Sequence, residues 1–115
     1  MNSPFATVLE LLTRQRGVRA SLIVSESDGL VVDSNLRFGQ DGERVAALAA
    51  SMYRKARLSA KAAHLGAVAF LQLDAERGRI CAVGGNDLVL VVVSDPLANV
   101  GLIRMELLKA LESLA

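Results

Sequence analysis

Between Leu88 and Val93 the chain reads LVLVVV, six apolar residues without a polar interruption, four of them valine. A half-exposed strand would alternate, so this stretch predicts a strand covered on both faces in the middle of a sheet. A sheet flanked by helices follows as the architecture, and three helical stretches elsewhere in the chain are there to cover it. With three Phe, one Tyr and no Trp in 115 residues, the core has to be built from aliphatic and alanine side chains. That length allows one domain, residues 1–115, around a single core.

Ser3-Pro4 predicts a cap and first turn for helix one, with Phe5, Val8, Leu9 and Leu12 at helical spacing. Arg14 and Arg16 suit its end, Gly17 a left-handed cap and Val18 the contact that follows it. Arg19 to Glu26 alternates, Ser27-Asp28-Gly29 turns, and Leu30 to Ser34 resumes the extended pattern, which predicts a hairpin. After a polar loop, Asn35 to Gly42, whose Asp41 can cap, a long helix is expected from Gly42 to His64. Its core stripe is Val45, Leu48, Ala49, Met52, Tyr53, Ala56, Ala60 and Ala63. Ala47, Ala50, Ser51 and Leu58 form a second seam of mostly small residues. One core stripe needs one apolar face, so a second seam points to another helix packing there. Strands are expected at Ala67 to Leu73, Arg79 to Val83 and Leu88 to Val93, with turns at Asp74 to Gly78 and Gly84-Gly85-Asn86-Asp87. Asp95 or Asn99 caps a last helix with Val100, Ile103, Leu107, Leu108, Leu111 and Leu114 as its buried stripe and Glu106, Lys109 and Glu112 facing water.

The net charge of +1 sets up no overall field toward nucleic acid or an anionic membrane. A mean hydropathy of +0.39 is high for a small monomer and leans toward self-association. One cysteine, Cys81, excludes an internal disulfide, and the start MNSPFATVLELL lacks the charged and long apolar regions of a secretion signal. The cytoplasm is the expected location, and six apolar residues in a row fall far short of the roughly 20 a membrane helix needs.

The chain offers little for catalysis. His64 is the single histidine, with no second one to relay protons or complete a metal site, and reads as a charge near a helix end. Cys81 reads as a small buried hydrophobe. Gly84-Gly85-Asn86-Asp87 lies between two strands, whereas a phosphate loop leads into a helix whose free amides hold the phosphate. Asp28, Asp33, Asp41 and Glu43 read as loop or cap residues. No catalytic residue, metal or cofactor is expected. Helix two is more informative: from Arg44 to Leu73 there is no acidic residue and five basic ones. A solvated face is the plain reading; a docking surface for an acidic patch, carried by Arg54, Lys55, Arg57 and Lys61, is the functional one.

Gly17-Val18, the hairpin SESDGLV from Ser25 to Val31, the alanine-rich helix Val45 to Ala63, and LVLVVVSDPLANVGLIRMEL from Leu88 to Leu107 together resemble the roadblock/dynein light chain family, its bacterial and archaeal members most of all. The ordered set is what is specific, above all Asp95-Pro96 followed by Asn99-x-Gly101-Leu102 and Arg104. The resemblance implies a profilin-like α/β/α domain. Its five-stranded, mainly antiparallel sheet would have the order 2-1-5-4-3, with helices one and three on one face and helix two on the other. It also implies homodimers in which third strands pair edge to edge and the long helices pack together, and service to Ras-like small GTPases, as activators or scaffolds, or to dynein as light chains.

The residues support a dimer independently, because Ala67 to Leu73 carries no proline and no charge to prevent edge pairing. Expected at the interface are Ala47, Ala50, Ser51, Arg54, Leu58, Val68, Phe70 and Gln72; a different chain of the same family is the alternative partner. A regulator or scaffold for a Ras-like GTPase is thus the leading expectation. A light-chain-like adaptor without GTPase contact, or a small-ligand sensor, are the alternatives; the sensor needs a cavity that a well-filled alanine and valine core would not leave. Activation of hydrolysis is expected to work by reshaping the GTPase, since Arg37 alone lies in a polar loop from which an arginine could be inserted.

Overall fold

A computed structural model describes residues 4–37 and 39–114. The elements are α1 (Ala6–Thr13), β1 (Val18–Ser25), β2 (Val31–Leu36), α2 (Gly42–Ala62), β3 (Leu71–Ala75), β4 (Gly78–Gly85), β5 (Leu88–Ser94) and α3 (Val100–Leu114). They form one five-stranded sheet of order β2-β1-β5-β4-β3, and every strand pairing is antiparallel.

The central strand explains its own sequence. Val89, Val91 and Val93 pack with Ala46, Ala49, Ala50 and Tyr53 of α2. Leu90 and Val92 pack on the other face with Leu9 and Leu12 of α1 and Ile103 and Leu107 of α3. Both sides of β5 are thus core from Val89 to Val93, and its one polar residue, Ser94, comes at its end. β1 is covered on both sides as well, and Ser21 on its α1 side is fully buried. Its hydroxyl donates to Leu9 O at 2.9 Å and lies 2.7 Å from Thr13 Oγ1, so no polar atom there is orphaned.

Several boundaries differ from expectation. Ser3 lies outside the described residues; α1 starts at Ala6, with Phe5 at its N-cap making no side-chain cap bond, so Pro4 precedes the helix. Gly17 takes φ +85°, and a Cβ there would meet Ala98 Cβ at 2.9 Å. β2 runs on to Leu36, because Arg37 N–H still bonds Arg19 O at 3.0 Å and keeps the pairing in register. Asp41 caps α2 as expected, its carboxylate accepting Arg44 N–H at 3.2 Å, but the helix ends at Ala62 and His64 takes φ +60° beyond it. The β4–β5 turn is made by Asn86 and Asp87, at φ +52° and +64°, the pair of left-handed residues that a tight hairpin requires; the two glycines before them belong to β4. Asn99, not Asp95, caps α3 by accepting Leu102 N–H at 3.1 Å. Asp95 instead receives Arg19 Nε at 2.7 Å.

The stripe on α2 is also rotated from the expected one. Ala46, Ala49, Ala50 and Tyr53 face the sheet, while Leu48 is 46% exposed and Ala63 lies exposed past the helix end. On α3, Ala110 takes the buried place expected of Leu108, which is 37% exposed. Alanine fits either face of a helix, so periodicity alone does not settle which alanine row is the buried one.

Candidate functional site

α2 carries two faces, and its inner one is spent. Tyr53 anchors it, lying against the β4 backbone at Gly84; burial, then the nearby Glu26 carboxylate, push the Tyr53 phenol above its usual value. Arg57 closes the same corner. Its guanidinium grips Glu26 at the end of β1 with both nitrogens, Nε to Oε1 at 2.7 Å and Nη2 to Oε2 at 3.2 Å. Glu26 in turn sits beside Asp87, whose carboxylate accepts from Ser27 N–H at 3.0 Å and from the Ser25 and Ser27 hydroxyls.

The outer face of α2 is a solvent-facing seam. Leu48, Ser51, Lys55, Leu58 and Ala62 recur at alternating steps of three and four along one side of the helix and are all exposed. Ala47 and Arg54 border it. Leu48 and Leu58 are its apolar ridges, and the short Ser51 and Ala62 leave room between them for side chains of a second helix.

Of the residues expected at an interface, Ala47, Ser51, Arg54 and Leu58 lie on or beside this seam, and Gln72 lies on the outer strand β3, exposed. Ala50 does not belong with them. It is 3% exposed and packs into the core beneath α2, out of reach of another copy. Val68 and Phe70 precede β3, whose pairing with β4 begins only at Leu71 opposite Ala82. Val68 leans against the α2-side core, and Phe70 against the α1/α3 side, with the Arg104 guanidinium 5.1 Å above its ring. β3 also extends to Ala75 and so contains Asp74, a charge on the margin that had read as uncharged. The Arg79 guanidinium holds that carboxylate, with further bonds to Ala98 O at 2.8 Å and Pro96 O at 2.9 Å, and so joins β3 to the loop before α3.

Of the four basic residues expected to meet a partner, Arg57 is committed to Glu26, whereas Arg54, Lys55 and Lys61 project into solvent. Arg37 is tied down: Nη2 donates to Thr13 O at 3.1 Å, capping the carboxyl end of α1. The sequence held no sign of either tie, because each partner is far away along the chain.

Among the described residues no three metal-binding side chains cluster, and Cys81 is buried, its thiol pushed up to about 11 by desolvation. An apolar hollow of about 190 Å³ opens beside the carboxyl end of α3, lined by Ile23, Leu88, Leu90, Leu111 and Leu114 with Asn86 at its mouth; no titratable group lines it. No helix is long and apolar enough to cross a membrane.

Comparison with known proteins adds the following. The model of the Roadblock/LC7 domain matches residues 4–94. Over 107 residues the sequence is 32% identical to an uncharacterized protein of Methanocaldococcus jannaschii, covering 93% of each chain. Among solved structures, the Roadblock/LC7 domain from Streptomyces avermitilis superposes with a TM-score of 0.86 at 19% identity, covering 97% of this chain and 95% of that one. The gliding protein MglB from Thermus thermophilus gives 0.83 at 23% identity, covering 100% and 90%. At such identities the structural likeness is one of fold.

Proposed function

The chain belongs to the Roadblock/LC7 family, and from that premise we propose that it is a non-enzymatic, homodimeric regulator or scaffold for a Ras-like small GTPase, acting in the cytoplasm. The observation that carries the dimer is the seam Leu48, Ser51, Lys55, Leu58 and Ala62, exposed on a helix whose other face already fills the core. Two such helices side by side, with the β3 margins joined beneath them, would bury a few hundred Å². At roughly 25 cal/mol per Å² that contributes several kcal/mol before the cost of association. The paired α2 helices then present Arg54 and Lys61 from both copies on one platform, suited to an acidic patch on the partner, while Lys55 is taken into the contact between the two helices.

Regulation of hydrolysis, where it occurs, is by reshaping the GTPase. An inserted arginine has to be free to leave its own protomer, and Arg37 holds Thr13 O with its side chain and Arg19 O with its backbone N–H. The test is sedimentation of the chain alone at micromolar concentration, followed by GTP hydrolysis by a Ras-like GTPase with and without it. A dimer that binds the GTPase, with Arg37→Ala as effective as the parent, supports the reading. A monomer at those concentrations refutes the platform, and loss of acceleration in Arg37→Ala refutes the indirect mechanism.

A further inference from the structure

The sheet has a second margin, β2, and its exposed side chains are apolar except for Ser34: Leu30 just before it is 65% exposed, Val32 47% and Leu36 39%. A bare, apolar margin of this kind normally recruits further strands. Arg37 N–H donates to Arg19 O, and the register runs on through Ala20 opposite Leu36. Bonded and non-bonded pairs alternate in an antiparallel ladder, so Asn35 and Asp33 turn their backbone groups toward β1 while Leu36 and Ser34 turn theirs outward, up to Val32, the extra residue where the register shifts between Ile23 opposite Asp33 and Val24 opposite Val31. Ser34 N–H is thus an outward donor in the regular part of the strand. It is already taken: Asp33 Oδ1 accepts it at 2.8 Å, and Asp33 Oδ2 is buried without a partner. β3 has no counterpart to this bond among the described residues.

We propose that Asp33 guards the β2 margin against strand addition, so that the sheet is extended across β3 alone and assembly closes. An incoming strand would have to pull the carboxylate off the Ser34 amide and bury a charge whose second oxygen is already unsatisfied. That costs more than one ladder hydrogen bond returns. Without the guard, dimers joined through β3 would expose a receptive β2 at each end and add end to end, a non-closing geometry. The β3-paired dimer proposed above enters only as the starting state, since each variant is read against the parent whatever the parent's size.

The experiment is sedimentation velocity on the parent, Asp33→Ala, and Asp33→Ala combined with either Ser34→Pro or Val32→Lys, each checked for parental circular dichroism. Proline offers no outward N–H, and a lysine on the margin repels an added strand, so both restore a block by other means. Asp33→Ala is expected to grow with concentration to at least about twice the parent's mass, and the two combinations to return to the parent's. Asp33→Ala remaining at the parent's mass, or both combinations staying as large as the single variant, would overturn the proposal.

Discussion

At Gly84 the β4 backbone passes under the ring of Tyr53 so closely that a Cβ would lie 2.6 Å from the ring's Cζ. Tyr53 is in turn the largest side chain that α2 places in the core, so neither group has room to yield. Gly84→Ala is expected to lower stability by about 2–3 kcal/mol through overpacking, read as a lower denaturant midpoint with an unchanged slope. Asp74 offers a second test at this scale. The Arg79 guanidinium, and after it the Gln72 amide, hold its carboxyl below the usual 3.8. A folded-state value below the unfolded one contributes stability that is in place above about pH 4 and is lost as the pH falls further. Stability of the parent should therefore decline more steeply below pH 4 than that of Asp74→Asn, as followed by denaturant titration across pH 2 to 5.

α2 is the element in which the two seams had to be told apart. Its outer row of three-and-four steps is legible in the letters, but so is an inner row of alanines, and Ala50 shows how a small side chain can be assigned to either. Once Tyr53 is seated at Gly84, the rotation of the whole helix is fixed and Leu58, at 50% exposure, is turned outward. Leu58→Glu is expected to place an unpaired charge in the helix-helix contact and raise the dimer dissociation constant by a hundredfold or more, about 3 kcal/mol. Sedimentation across a dilution series reads this, and the circular dichroism of the protomer should stay unchanged because the side chain is half exposed and belongs to neither core cluster. β3 carries the complementary lesson. Its sequence starts to look extended at Ala67, yet the ladder begins at Leu71 opposite Ala82, although β4 itself runs on to Gly85.

For the molecule as a whole, a formal charge of +1 hides an uneven surface: the basic residues left unpaired on α2 face away from the sheet, all on one side. Charge at the rim of an interface acts mainly on the rate of encounter. Arg54→Glu with Lys61→Glu is expected to slow association with an acidic partner by about tenfold at low salt, with the difference shrinking as salt rises. Stopped-flow mixing at two ionic strengths measures this. An unchanged rate would remove α2 from the docking surface. The same scale explains why assembly can be finite, since one margin of the sheet is left bare and the other is occupied by its own aspartate.

The letters alone determined the order of elements, the covering of β5 on both faces and the existence of a surplus helical seam, because each is written in periodicity, which is local. They also carried the family likeness, which depends on an ordered set of such local patterns. Tertiary structure decided which alanines are core, that Arg57 and Arg37 are occupied, and that Asp33 holds the Ser34 amide on the β2 margin. Those outcomes depend on contacts such as Arg57 with Glu26 or Tyr53 with Gly84, between residues 31 positions apart in sequence in each case, and no pattern confined to one element records what another element brings against it.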